Sequence, residues 1–146
     1  MNRKEFLKVC GGVCLGAAGI SVLLQSCATT QTITGVVSGN QLQLSKAVFE
    51  KSNDEKISYR KYIITHVENL DYPIVIYRNN ADDYTALLLR CTHQGNEVSV
   101  SGDLLSCSAH GSEFDRTGAV IQGPAEKNLV SYRVTSDEKN IYVQLS

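Results

Sequence analysis

Two short segments constrain this chain more than any other feature: Cys91-Thr92-His93-Gln94-Gly95 and Cys107-Ser108-Ala109-His110-Gly111-Ser112. Each brings one thiol, one imidazole and one glycine into a span too short for regular structure, and 13 residues separate His93 from Cys107. A chain that repeats this arrangement must fold so that two tight loops face each other. Glycine in each loop lets the backbone close around a sulfur without a Cβ clash. Two thiolates and two imidazoles then form a donor set that suits either a mixed-ligand iron–sulfur cluster or a tetrahedral zinc ion. A disulfide between Cys91 and Cys107 is the simpler alternative in an exported chain, although it leaves the matching histidines and glycines without a purpose.

The sequence around these loops reads as all-β. From Ile33 onward, short apolar or alternating runs are separated by polar turn clusters, with no sustained helical period. Leu42 and Leu44 alternate with polar neighbours, Ile57 to Ile64 is rich in Tyr and Ile, and Lys51 to Glu55 reads as the turn between them. Tyr72–Tyr77 and Tyr84–Leu89 form a hairpin over Asn79 to Asp83, whose side chains tolerate turn conformations. That hairpin delivers the chain to Cys91. A second one, from Val98 and Val100 through Ser101-Gly102-Asp103 to Leu104 and Leu105, delivers it to Cys107. Ala119 to Gln122, Leu129 to Val134 and Ile141 to Leu145 supply closing strands.

With the downstream Gly123-Pro124-Ala125, the two loops resemble the Rieske [2Fe–2S] family. Its signature is Cys-x-His-x-Gly in one loop and Cys-x-x-His-Gly-Ser in the other, followed by a proline loop. The resemblance covers roughly residues 70–135. It implies an antiparallel β-sandwich with the two cluster-binding loops at one tip. It also implies one [2Fe–2S] cluster per chain, with Cys91 and Cys107 on one iron and His93 and His110 on the other, and Gly95, Gly111, Ser112, Phe114, Gly123 and Pro124 around them. Neutral imidazoles in place of two thiolates raise the potential above that of an all-cysteine cluster.

The resemblance also marks three departures from the quinol-oxidising branch. That branch usually carries an additional cysteine in each loop, joined as a disulfide, where this chain has Asn96 and Ala109. It commonly has Gly-Ser-x-Tyr after the second histidine, whereas this chain keeps Ser112 and has Phe114. The gap between the ligand pairs is also somewhat shorter than is common. The Cys-x-His and Cys-x-x-His spacings are not those of a zinc finger, so a structural zinc module is the lesser alternative. A self-contained oxygenase would need a separate 2-His-1-carboxylate iron, for which only His66 is left over.

The N-terminus has its own logic. Arg3, Lys4 and Lys8 precede an apolar stretch from Val9 to Leu24, the pattern of an export signal. At helical rise the stretch covers about 24 Å, short of a ~30 Å hydrocarbon core. Leu24-Gln25-Ser26-Cys27 resembles the lipobox of bacterial lipoproteins and makes Cys27 the candidate lipidation site. Asn2 to Lys8 also resembles a twin-arginine signal, with Lys4 in the place of the second arginine. The expected organisation is therefore an export signal over 1–26, a tether over 27–32 and the Rieske-like domain over 33–146.

The 146 residues, 42% of them hydrophobic, suffice for one core. Residues 1–26 carry three basic side chains and one acidic one, so the remainder, with 11 basic against 14 acidic, has a formal charge of −3. Its Lys and Arg are scattered singly, which excludes a phosphate-tracking basic stripe and hence nucleic acid as a partner. The sequence therefore points to a periplasmic or membrane-attached one-electron carrier, held to the membrane by lipidated Cys27. Its partner is a redox protein or, in the alternative, a quinol:cytochrome oxidoreductase of which it is the Rieske subunit. A ferredoxin-like partner of a separate oxygenase ranks third. His93 and His110 are the expected electron exit, ringed by Thr92, Gln94, Ser108 and Ala109.

Overall fold

The computed structural model describes residues 33, 35–53 and 56–146. The export signal over 1–26 and the whole tether over 27–32, Cys27 of the lipobox included, lie outside these residues.

The fold is all-β and antiparallel. Four strands, β1 (Val36–Ser38), β2 (Gln41–Ser45), β13 (Val134–Ser136) and β14 (Asn140–Gln144), form one sheet in the order β1-β2-β14-β13. A second sheet, β12-β7-β6-β5, contains β5 (Tyr62–Thr65), β6 (Ile74–Arg78), β7 (Tyr84–Leu88) and β12 (Ser131–Tyr132). The third, β11-β10-β9-β8, contains β8 (Ser99–Ser101), β9 (Leu104–Cys107), β10 (Ser112–Asp115) and β11 (Val120–Gln122). A separate hairpin pairs β3 (Glu50–Asn53) with β4 (Lys56–Tyr59). One turn of 3-10 helix, Lys46–Phe49, follows β2 and is capped by the Ser45 hydroxyl.

The second sheet is the shared layer between two cores. Along β6, Ile74 and Ile76 pack with Leu42, Leu44, Ile141 and Val143 of the first sheet. The intervening Val75 and Tyr77 pack with Leu105 and Phe114 of the third. Alternate side chains of a strand point to opposite faces, so burial on both faces needs a continuous apolar run. That is why Ile74 to Tyr77 shows no polar alternation and is wholly buried. Leu42 and Leu44, with only one face covered, alternate as the sequence predicts.

Three local expectations are corrected. Ile57 to Ile64 is not one strand, because the chain turns at Arg60 and Lys61. The Arg60 guanidinium donates to the carbonyls of Val48 and Glu50 at 2.9 and 2.7 Å and holds the base of the β3–β4 hairpin. Lys51 to Asn53, expected as turn, belongs to β3. Leu129 to Val134 divides between two sheets, with Ser131 and Tyr132 paired to β7 and Val134 paired to β14. Strand β10, which has only Phe114 as an apolar signal, was not anticipated from periodicity.

Candidate functional site

The two Cys/His segments close by the same device. In the first, which follows β7, the Gly95 N–H donates to the Cys91 carbonyl at 2.8 Å and the Cys91 N–H donates to the Asn96 carbonyl at 2.7 Å. In the second, between β9 and β10, the Gly111 N–H donates to the Cys107 carbonyl at 2.9 Å. Each glycine thus stands four residues after its cysteine, with φ of +78° at Gly95 and +80° at Gly111. A side chain at such φ is strained. The invariant of the two loops is therefore Cys to Gly. The histidine can sit two residues after the cysteine in one loop and three in the other, because either place lies within the same turn.

The loops present the four predicted side chains unequally. Cys91 and Cys107 are free thiols, 2% and 1% exposed, and both belong to the core beneath the site. The disulfide alternative is not formed. His93 is half-buried and His110 exposed, and their rings meet edge to face with centroids 4.8 Å apart. The structure thus brings the two imidazoles together and keeps both thiols buried in the core.

The donor set fits a metal cluster on one further observation. The Nδ1 atom of His93 is buried and has no hydrogen-bond partner among the described residues. A buried polar atom left unpaired costs about 1–3 kcal/mol, so this nitrogen is placed for a ligand and not for the apolar core. Among the described residues, no three His, Cys, Asp or Glu side chains gather to hold a single metal ion.

A strap from Gln122 to Lys127 ties both loops together. Gln122 donates from Nε2 to the Gly111 carbonyl at 2.9 Å. The Ser112 hydroxyl, on a fully buried residue, accepts from the Ala125 N–H at 3.0 Å. The Thr92 hydroxyl donates to the Lys127 carbonyl. Thr92, expected on the docking rim, is therefore a staple between the first loop and the strap, while Gln94, Ser108 and Ala109 are exposed as expected. Gly123 and Pro124 form the exposed bend of the strap through a cis peptide, and Phe114 is fully buried against the thiol-bearing core. Gln122 and Arg90 escaped the sequence reading. Their only signal is adjacency, one immediately before Gly123-Pro124 and the other immediately before Cys91.

A family model described as the Rieske [2Fe-2S] domain matches residues 48–133. The cytochrome b6-f complex iron-sulfur subunit of Synechococcus elongatus is 43% identical over 56 residues, covering 36% of this chain and 31% of that protein. The corresponding subunit of Cyanothece sp. is 38% identical over 65 residues, covering 40% and 36%. The match thus spans about a third of these curated relatives' length. Among solved structures, the plasma membrane Rieske protein of Synechocystis PCC 6803 is 28% identical, with 57% of this chain and 85% of that chain covered and a TM-score of 0.49. With the family model spanning more than half of its length, the chain belongs to the Rieske [2Fe–2S] family.

Proposed function

We propose that the chain is a one-electron carrier of the cell envelope in which Cys91 and Cys107 hold one iron and His93 and His110 the other. The observation that carries this reading is the joint placement of two buried free thiols and two edge-to-face imidazoles on matched loops. When bound, the cluster supplies reversible one-electron exchange. The protein's part is to exclude water and fix the donors. Leu105, Phe114 and Leu89 pack around the cysteines, and the strap holds both loops at once. His93 and His110, at the outer surface of the site, offer the shortest way out for an electron. Protein-film voltammetry of the loaded protein tests the carrier role. A reversible wave of one-electron width is expected, within the roughly −150 to +300 mV spanned by mixed His/Cys clusters. An electrode response without any reversible wave in that window would contradict it.

A second reading, the Rieske subunit of a quinol-oxidising complex, is favoured by the identity to cytochrome b6-f subunits. Phe114 and the lack of cysteine at Asn96 and Ala109 count against it, because the resemblance associates a tyrosine and a disulfide with that branch.

The envelope location rests on the N-terminal sequence, which supports export and lipid attachment at Cys27. Among the described residues no helix is long and apolar enough to cross a membrane. Cys27→Ser is expected to move the protein from the membrane to a soluble extracytoplasmic fraction. Retention of that variant in membranes would assign the anchor to Val9–Leu24 instead.

A further inference from the structure

Beside the first loop lies a depression of about 360 Å³, lined among others by Arg90, Thr92, His93, Gln94, Lys127 and Val130. Its only charged side chains are the two cations, although the chain after residue 26 carries a net −3. A hollow elsewhere mixes signs: there Lys46 and Arg78 lie with Glu50, Asp82 and Glu138. The ion pairs among the described residues, Lys46–Asp82, Lys61–Asp103 and Arg116–Asp103, involve neither Arg90 nor Lys127.

The Arg90 side chain and the Lys127 backbone are both tied to the first loop. The Arg90 guanidinium lies 5.7 Å from the Tyr72 ring centroid, and the side chain crosses the loop so closely that a Cβ on Gly95 would sit 3.2 Å from its Nε. The Lys127 carbonyl accepts the Thr92 hydroxyl, which anchors the backbone from which the Lys127 side chain extends beside the loop. A positioned guanidinium loses little freedom on binding, and the two like charges together steer an oppositely charged partner toward the site. Val130, 49% exposed, adds an apolar contact at the rim.

We infer that this depression is the docking point for an acidic surface segment of the redox-partner protein, which places that partner against His93. The inference rests on the electron-carrier reading. One electron passes from the reduced protein to the oxidised partner, with no bond made or broken and no proton transferred.

The test uses the full, cluster-loaded chain, reduced and mixed in stopped flow with either of two oxidants of opposite charge, anionic hexacyanoferrate(III) or cationic tris(phenanthroline)cobalt(III). Each takes one electron. Any change in driving force caused by a mutation moves both rates in the same direction, so their ratio isolates the charge at the contact. In Arg90→Gln/Lys127→Gln the anion-to-cation rate ratio is expected to fall about tenfold at low ionic strength. High salt should erase the difference. Lys56→Gln/Lys139→Gln, which removes the same charge from β4 and from the β13–β14 turn, should leave the ratio near that of the parent. An oligoglutamate peptide should slow the hexacyanoferrate(III) reaction far more than free glutamate at equal carboxylate concentration. An unchanged ratio in the first variant, an equal fall in the second, or equal competition by free glutamate would overturn the assignment. A chain that binds no iron and sulfide would instead defeat the carrier reading itself, before any rate is measured.

Discussion

Alanine at His110 is expected to abolish the visible iron–sulfur absorption of the purified protein and to lower its thermal midpoint by roughly 10 °C or more. The size of the effect follows from the architecture. The two loops belong to different sheets, one following β7 and the other joining β9 to β10, and a cluster held by the four proposed ligands would staple them together. Losing one of the four proposed ligands would release that staple, and cluster-binding free energy is folding free energy when the site is not rigid without it. His66→Ala is the control, because His66 is exposed and lies outside the site; it should retain both spectrum and midpoint. Full absorption in His110→Ala would remove His110 from the ligand set.

Ser112→Ala is expected to act twice. The hydroxyl accepts the Ala125 N–H at 3.0 Å inside a fully buried position, so the variant leaves that N–H unpaired and costs about 1–3 kcal/mol of stability. By the family resemblance, the hydroxyl's own proton is the one offered to cluster or ligand sulfur. Hydrogen bonds to sulfur withdraw electron density and favour the reduced state. The potential should therefore fall as well. Phe114→Tyr tests the same physics with the opposite sign. Phe114 is 0% exposed in the core that contains both cysteines, so an added hydroxyl that reaches sulfur raises the potential. Chemical denaturation and voltammetry at one pH, with intact spectra as a control, measure both effects. A loss of stability in Ser112→Ala at unchanged potential would reduce Ser112 to a strap contact. An unmoved or lowered potential in Phe114→Tyr would show that residue 114 does not address sulfur.

The parts of the fold that were legible in the sequence are those where burial has a simple period. Leu42 and Leu44, the Tyr84–Leu88 strand and the two loop-delivering hairpins read correctly because turn residues bracket them and one face or both are plainly apolar. The break at Arg60 was not legible, because its cause is a guanidinium reaching carbonyls 12 and 10 residues away in the chain. β10 was hidden because it pairs through the second loop, Ser112 with Cys107 and Phe114 with Leu105, and hairpin partnership outweighs its own polar composition. The Ser131–Val134 division needs the knowledge that two sheets compete for one segment.

The candidate ligands were legible because their chemistry is rare and their spacing short. Their supports were not, since Gln122 reaches Gly111 across 11 residues and Thr92 reaches Lys127 across 35. Amides and hydroxyls carry no signal of that kind. The cationic depression at Arg90 and Lys127 was also hidden, because scattered single charges acquire a common face only once the strap has folded over the first loop.

The most direct test of the central claim is elemental and acid-labile sulfide analysis of the anaerobically purified chain, made under iron-replete conditions, with an EPR spectrum of the dithionite-reduced sample. About two iron atoms and about two sulfides per chain are expected, with the rhombic signal of a mixed His/Cys [2Fe–2S] centre. Stoichiometric zinc in a colourless, sulfide-free protein would contradict it.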